Sequence, residues 1–199
     1  MAGPAGYGTN VVCTRAPRRR IWADAGGYHR VVTTRMPSLG PRGEGWVVIQ
    51  GVMFAAIFLG GIVVPPAWGG PTGTEGAAGL AGVVLGIWLI AAGAVLAVAG
   101  ILALRVGGAL TALPRPRAGS RLVAHGPYRL VRHPIYGGLV LGAVGWGLVR
   151  ASPLALFASA ALLLFFRLKS GREEAWLHDH FPDYAGYRAR TRRLIPWVY

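Results

Sequence analysis

The chain of 199 residues carries 21 Lys and Arg against 7 Asp and Glu, a net charge of +14, yet only 14% of its residues are charged and 53% are hydrophobic. An ordinary soluble domain carries about 25% charged residues, so the polar surface is too small for a soluble globule, and nucleic acid, the usual partner of so basic a chain, is not an expected partner. A single cysteine, Cys13, excludes an internal disulfide framework and a multi-cysteine zinc site, and no metal is expected.

Residues 1–45 hold seven Arg, and the first 35 are rich in Arg, Gly and Pro without an apolar run that would form the core of a signal peptide. They read as a disordered cytoplasmic tail, with Met36 a possible true start, ahead of one membrane domain over 46–199. Residues 46–64 and 79–104 are 19 and 26 residues without a charge. About 20 apolar residues cross the hydrocarbon core, so each predicts a transmembrane helix. Residues 135–166 are apolar but interrupted at Arg150, Ser152 and Pro153, which predicts a helical hairpin with arms 137–149 and 154–166. Each arm is short for a full crossing unless flanking residues join it. The expected fold is all-α and integral to the membrane, with about four transmembrane helices including this C-terminal hairpin, followed by cytoplasmic C-terminal helices.

Charge placement gives the orientation, because cytoplasmic loops carry the excess of Lys and Arg. Three regions, 1–45, 105–134 and 167–199, hold seven, six and seven basic residues, whereas 65–78 holds none and the hairpin turn only Arg150. Four crossings put all three on one side, with both termini cytoplasmic at the cell membrane. In the second span Gly79, Gly86, Gly93, Gly100 and Gly107 recur every seven residues, nearly two helical turns. They form a stripe for close approach of another helix, within this chain or in a second one. Gly138, Gly142 and Gly145 form a small face on the first hairpin arm, with the Ala158, Ala160 and Ala161 region of the second arm as its expected partner.

Polar residues out of place in an apolar chain lie at both ends of the hairpin: Gly126-Pro127-Tyr128-Arg129-Leu130-Val131-Arg132-His133-Pro134-Ile135-Tyr136-Gly137 before it, and Lys169-Ser170-Gly171-Arg172-Glu173-Glu174 after it. Pro134 suits the first turn of a helix, which puts Arg132 and His133 at the membrane face. An out-and-back hairpin returns the chain to that face. Tyr128, His133 and Tyr136 are therefore expected near Glu173 and Glu174. Taken singly, the tyrosines fit an aromatic belt, the Arg-His pair fits head-group contact, and the glutamates fit the start of a solvated helix.

Together, Leu122-Val123-Ala124-His125-Gly126-Pro127-Tyr128, Arg132-His133-Pro134-Ile135-Tyr136, Glu173-Glu174, Phe181-Pro182-Asp183-Tyr184, Tyr187 and Arg192-Arg193-Leu194-Ile195-Pro196 resemble the isoprenylcysteine carboxyl methyltransferase family and the related phospholipid N-methyltransferases, over roughly 80–199. The resemblance implies S-adenosylmethionine as methyl donor and a lipid-like acceptor drawn from the bilayer. It implies cofactor contacts from Val123, Tyr128, Arg132, His133, Pro134, Ile135 and Tyr136, completed by Glu173 or Glu174. Tyrosines offer apolar surface and a hydrogen bond, a helix start suits a carboxylate, and a glutamate pairs with an ammonium or ribose hydroxyls.

Methyl transfer is an in-line displacement that depends mainly on positioning. A carboxylate acceptor needs no base, only an orienting cation; an amine acceptor must lose a proton, which gives Glu174 or His133 a general-base role. Where the family's carboxylate-orienting Arg is expected, this chain has Lys169, a point charge without the bidentate fork, with Arg172 close by as a second substrate contact. Arg188, Arg190, Arg192 and Arg193 are candidates for anionic head groups. Two other functions stay open at this point: an NADPH-dependent membrane reductase of the sterol-reductase kind, and a non-catalytic lipid-binding membrane protein.

Overall fold

A computed structural model describes residues 39–40, 43–70, 72–109 and 122–194. The expected tail over 1–45 and the start at Met36 fall almost wholly outside these residues, as do Ile195 and Pro196. Five α-helices follow one another: α1 (Glu44–Val63), α2 (Gly76–Val106), α3 (Pro134–Val149), α4 (Pro153–His180) and α5 (Tyr184–Arg190), with a 3-10 turn, Gly126–Arg129, ahead of α3. Among the described residues the only β-pairing is a single parallel bridge between Val131 and Arg192.

Helices α1, α2 and α4 are 20, 31 and 28 residues long and apolar enough to cross a bilayer, and the protein is a multi-pass membrane protein with an all-α fold. The hairpin forms where the breakers stand, yet its arms differ. Residues 167–180 extend the second arm into the long α4, whereas α3, fixed at its start by Pro134, has 16 residues. At 1.5 Å per residue α3 spans about 24 Å, short of a hydrocarbon core of about 30 Å.

The hairpin turn closes against the end of α1. Ser152 caps α4 by accepting from Ala155 N at 3.2 Å and donates to Gly60 O at 3.0 Å, while Arg150 Nε donates to Gly61 O at 2.8 Å. Terminal helix carbonyls have no intrahelical partner, and in lipid no water supplies one. These two side chains do.

The glycine stripe packs within the chain. Gly79, Gly86, Gly93 and Gly100 are all buried. A Cβ on Gly86 would lie 2.6 Å from Gly145 O, one on Gly93 would strike Gly138 O, and one on Gly100 would lie 2.9 Å from Ile135 Cγ1. The small face of α3 therefore meets α2 instead of the Ala158–Ala161 region. Spacing identified the two faces but not which faced which. On the opposite side of α3, Gly147 lies against Leu156 of α4.

Candidate active site

The stretch before α3 is pinned by the C-terminal segment. Around the Val131–Arg192 bridge, Arg192 N donates to Leu130 O (3.0 Å), Arg132 N to Arg192 O (2.8 Å) and His133 N to Arg193 O (3.0 Å). Pro134 then starts α3 at a position where its missing N–H costs nothing. Two consecutive side chains, Arg132 and His133, are thereby held at the end of the hairpin that α4 also reaches.

Glu173 and Glu174 lie well inside α4 and not at a helix start, and both are buried. Glu174 is surrounded by cations. Its Oε1 accepts from Arg132 Nε at 2.8 Å and Arg193 Nε at 3.2 Å and lies 3.3 Å from His133 Nε2; its Oε2 accepts from Arg193 Nη2 at 3.2 Å and lies 3.7 Å from Arg188 Nε. Glu173 is engaged differently. Tyr136 donates its hydroxyl to Oε1, and His133 Nδ1 stands 3.6 Å from Oε2. The His133 ring thus bridges the two carboxylates and lies parallel to Tyr136 at 5.5 Å; Tyr136 in turn stacks on Phe166 at 4.4 Å.

The structure brings together Arg132, His133, Tyr136, Glu173 and Glu174 as the sequence motifs imply. Pro134 and Ile135 lie alongside in the first turn of α3, against Gly100. Tyr128 and Val123 form a neighbouring buried cluster with Ala103 of α2. The Tyr128 carbonyl accepts from the Tyr187 hydroxyl at 2.9 Å. Burial, with Tyr187 and Glu173 nearby, raises the Tyr128 hydroxyl well above the usual phenol range, so it stays protonated as a donor.

Lys169 is buried on the α1 side, its ammonium 5.0 Å over the Tyr136 ring and donating to Gln50 Oε1 at 2.6 Å. Arg172 stands apart from the carboxylates, its guanidinium 4.9 Å over the Trp176 ring.

Sequence reasoning missed Gln50 and Thr191, placed Tyr187 in the family motif without a role, and did not foresee that Arg193 binds Glu174. Thr191 O accepts from Arg132 Nη1, Arg193 turns onto Glu174, and Arg188 stays largely exposed with its Nε 3.7 Å from Glu174 Oε2. Only the isolated Glu pair hinted at this, since a buried carboxylate needs cationic partners.

A profile of phospholipid methyltransferases matches residues 81–184. A probable protein-S-isoprenylcysteine O-methyltransferase from Oryza sativa subsp. indica is 34% identical over 80 residues, which cover 39% of this chain and 42% of that protein. The cobalt-zinc-cadmium resistance protein CzcN of Cupriavidus metallidurans is 38% identical over 82 residues, 40% of this chain and 38% of that one. The match thus spans about two fifths of these curated relatives. In fold, the chain is similar to the eukaryotic intramembrane Ras methyltransferase, isoprenylcysteine carboxyl methyltransferase, with a TM-score of 0.55 at 20% identity, covering 80% of this chain and 55% of that one. The profile runs from α2 through the hairpin into the start of α5, so it takes in His133, Tyr136 and both glutamates at once, and it covers more than half of the sequence: the chain belongs to the phospholipid methyltransferase family.

Proposed function

We propose that the protein transfers a methyl group from S-adenosylmethionine to the carboxylate of an isoprenylated or similarly lipid-tailed acceptor, at the cytoplasmic face of the cell membrane. The observation that carries this reading is the convergence of His133 and Tyr136 on the buried Glu173. Family membership favours methyl transfer over reduction, and similarity to the rice protein-S-isoprenylcysteine O-methyltransferase favours a prenylcysteine acceptor. The three basic regions favour cytoplasmic termini.

The residues suit an adenosyl sulfonium cofactor. Glu173 meets the Tyr136 hydroxyl and His133 Nδ1 and retains further acceptor capacity, and a carboxylate attracts a cation. Tyr184 Oη and Arg172 Nε are buried donors without a hydrogen-bond partner among the described residues. Val123, Tyr128 and the His133–Tyr136 turn would hold the adenosyl part, and Glu173 the ammonium or ribose. When bound, the cofactor supplies an electrophilic methyl group. Glu174, encircled by Arg132, His133 and Arg193, fixes the arginines and the His133 ring.

An apolar groove of about 320 Å³ favours a lipid tail. It is lined by Phe54 and Phe58 of α1, Ala94 and Ala97 of α2, and Leu139 and Trp146 of α3, among others. Leu139, Ala143 and Trp146 follow Tyr136 at +3, +7 and +10, so the groove continues along the helix face that presents Tyr136. Lys169, beyond the Tyr136 ring, would orient the acceptor carboxylate. The full chain, purified in detergent, should move radiolabelled methyl from S-adenosylmethionine to an S-prenylated cysteine and not to phosphatidylethanolamine. Transfer to the amine alone would overturn the acceptor assignment, and transfer to neither the methyl-transfer reading.

A further inference from the structure

Of the chain's 21 basic side chains, 20 are Arg and only one is Lys, and that one, Lys169, is 4% exposed. An arginine at this position would present a broad fork, whereas lysine presents a compact ammonium on a flexible stem. Such a stem needs something to fix it. The ammonium lies 5.0 Å over the Tyr136 ring and 6.0 Å from the centre of the Phe166 ring, interacts electrostatically with Glu173, and donates one hydrogen bond, to Gln50 Oε1 at 2.6 Å. The ammonium has three donors, so two remain for a ligand.

Gln50 sits within α1, inside an otherwise apolar run. A polar side chain in a membrane helix is costly and usually faces the protein interior for a reason. It also lies outside the matched segment 81–184. We propose that Gln50 is a positioning residue: by accepting from Lys169 it fixes the ammonium over Tyr136, and α1 thereby sets where the acceptor's anionic group is held. This rests on the acceptor assignment above. It also accounts for the lysine, since the Gln50 carbonyl takes one donor of a point charge and leaves the others directed at the ligand.

The test uses the full chain with Gln50→Leu and Gln50→Glu, and two readouts. With an S-prenylated cysteine as acceptor, Gln50→Leu should raise the acceptor KM about tenfold while kcat and the affinity for S-adenosylmethionine stay within about twofold. Gln50→Glu keeps an oxygen that holds the ammonium but adds a negative charge that competes with the acceptor's carboxylate, so it should also raise KM while leaving Lys169 fixed. A general packing defect would instead lower kcat and cofactor affinity together, and that result overturns the proposal. The second readout needs no acceptor. As the sole lysine, Lys169 can be followed by mass spectrometry after treatment with an amine-acylating reagent, and its labelling should be several-fold faster in Gln50→Leu than in the wild type or Gln50→Glu. Equal labelling in all three overturns the proposal. If the wild type methylates no prenylcysteine, the functional reading fails, and the labelling rates alone decide whether Gln50 holds Lys169.

Discussion

Arg132 Nε donates to Glu174 Oε1 at 2.8 Å across 42 residues of chain, with both side chains almost completely buried. The pair ties the start of α3 to α4, and Arg193 adds the C-terminal segment to the same carboxylate. Breaking a buried pair from one side leaves an uncompensated charge and costs about 3–5 kcal/mol. Glu174→Ala should lower the thermal unfolding midpoint in detergent markedly, and Glu174→Gln, which keeps an acceptor oxygen, should lower it less. An unchanged midpoint in Glu174→Ala would contradict the role given to this carboxylate.

Two glycines of the same α3 face should respond differently to a methyl group. A Cβ on Gly138 would meet Gly93 O and come within 2.9 Å of Ala97 N, whereas one on Gly142 meets nothing within 4 Å. Overpacking against backbone costs about 1–3 kcal/mol. Gly138→Ala should therefore destabilise by about that amount and Gly142→Ala hardly at all, as read by thermal unfolding. Equal losses would mean that α2 and α3 do not pack through this stripe.

How much of this was legible in the sequence depends on the kind of information each feature needs. The hairpin break at Arg150–Pro153 and the seven-residue glycine stripe were legible because proline chemistry and helical periodicity are local. The partner of the Gly138–Gly145 face was not, because periodicity names a face and not its neighbour. The meeting of His133 and Tyr136 with Glu173 followed from an out-and-back hairpin alone. Pairing of Arg132 and His133 with Arg192 and Arg193 did not, since two residues on each side carry no strand pattern. Gln50 reads in sequence as one polar residue in an apolar run, and its tie to Lys169 spans 119 residues.

Ser152 is fully buried, caps α4 and bonds Gly60 O. Replacing an N-cap costs about 0.5–2 kcal/mol, and leaving Gly60 O without a partner adds to that. Ser152→Ala should thus lose stability, while Ser152→Thr, which retains a hydroxyl, should lose less. Identical unfolding midpoints for Ser152→Ala and the wild type would contradict the capping role.

Tyr187 holds the Tyr128 carbonyl from α5. Burial raises the Tyr187 hydroxyl well above the usual phenol range, so it is a donor at any physiological pH. Tyr187→Phe leaves a buried carbonyl unpaired at a cost of about 1–3 kcal/mol and should loosen the 126–129 turn. Hydrogen exchange in that turn should be faster in Tyr187→Phe than in the wild type, with α2 little changed; unchanged exchange in the turn would contradict the coupling.

The central claim is that Glu173, with His133 and Tyr136 turned onto it, forms a site for S-adenosylmethionine. Calorimetric titration of the detergent-purified full chain tests it most directly, comparing the wild type with a doubly substituted His133→Ala, Glu173→Ala variant whose helical circular dichroism is intact. Saturable binding in the wild type, weakened at least about tenfold in the variant, equivalent to about 1.4 kcal/mol, is the expected result. Equal affinity in the two proteins would contradict it.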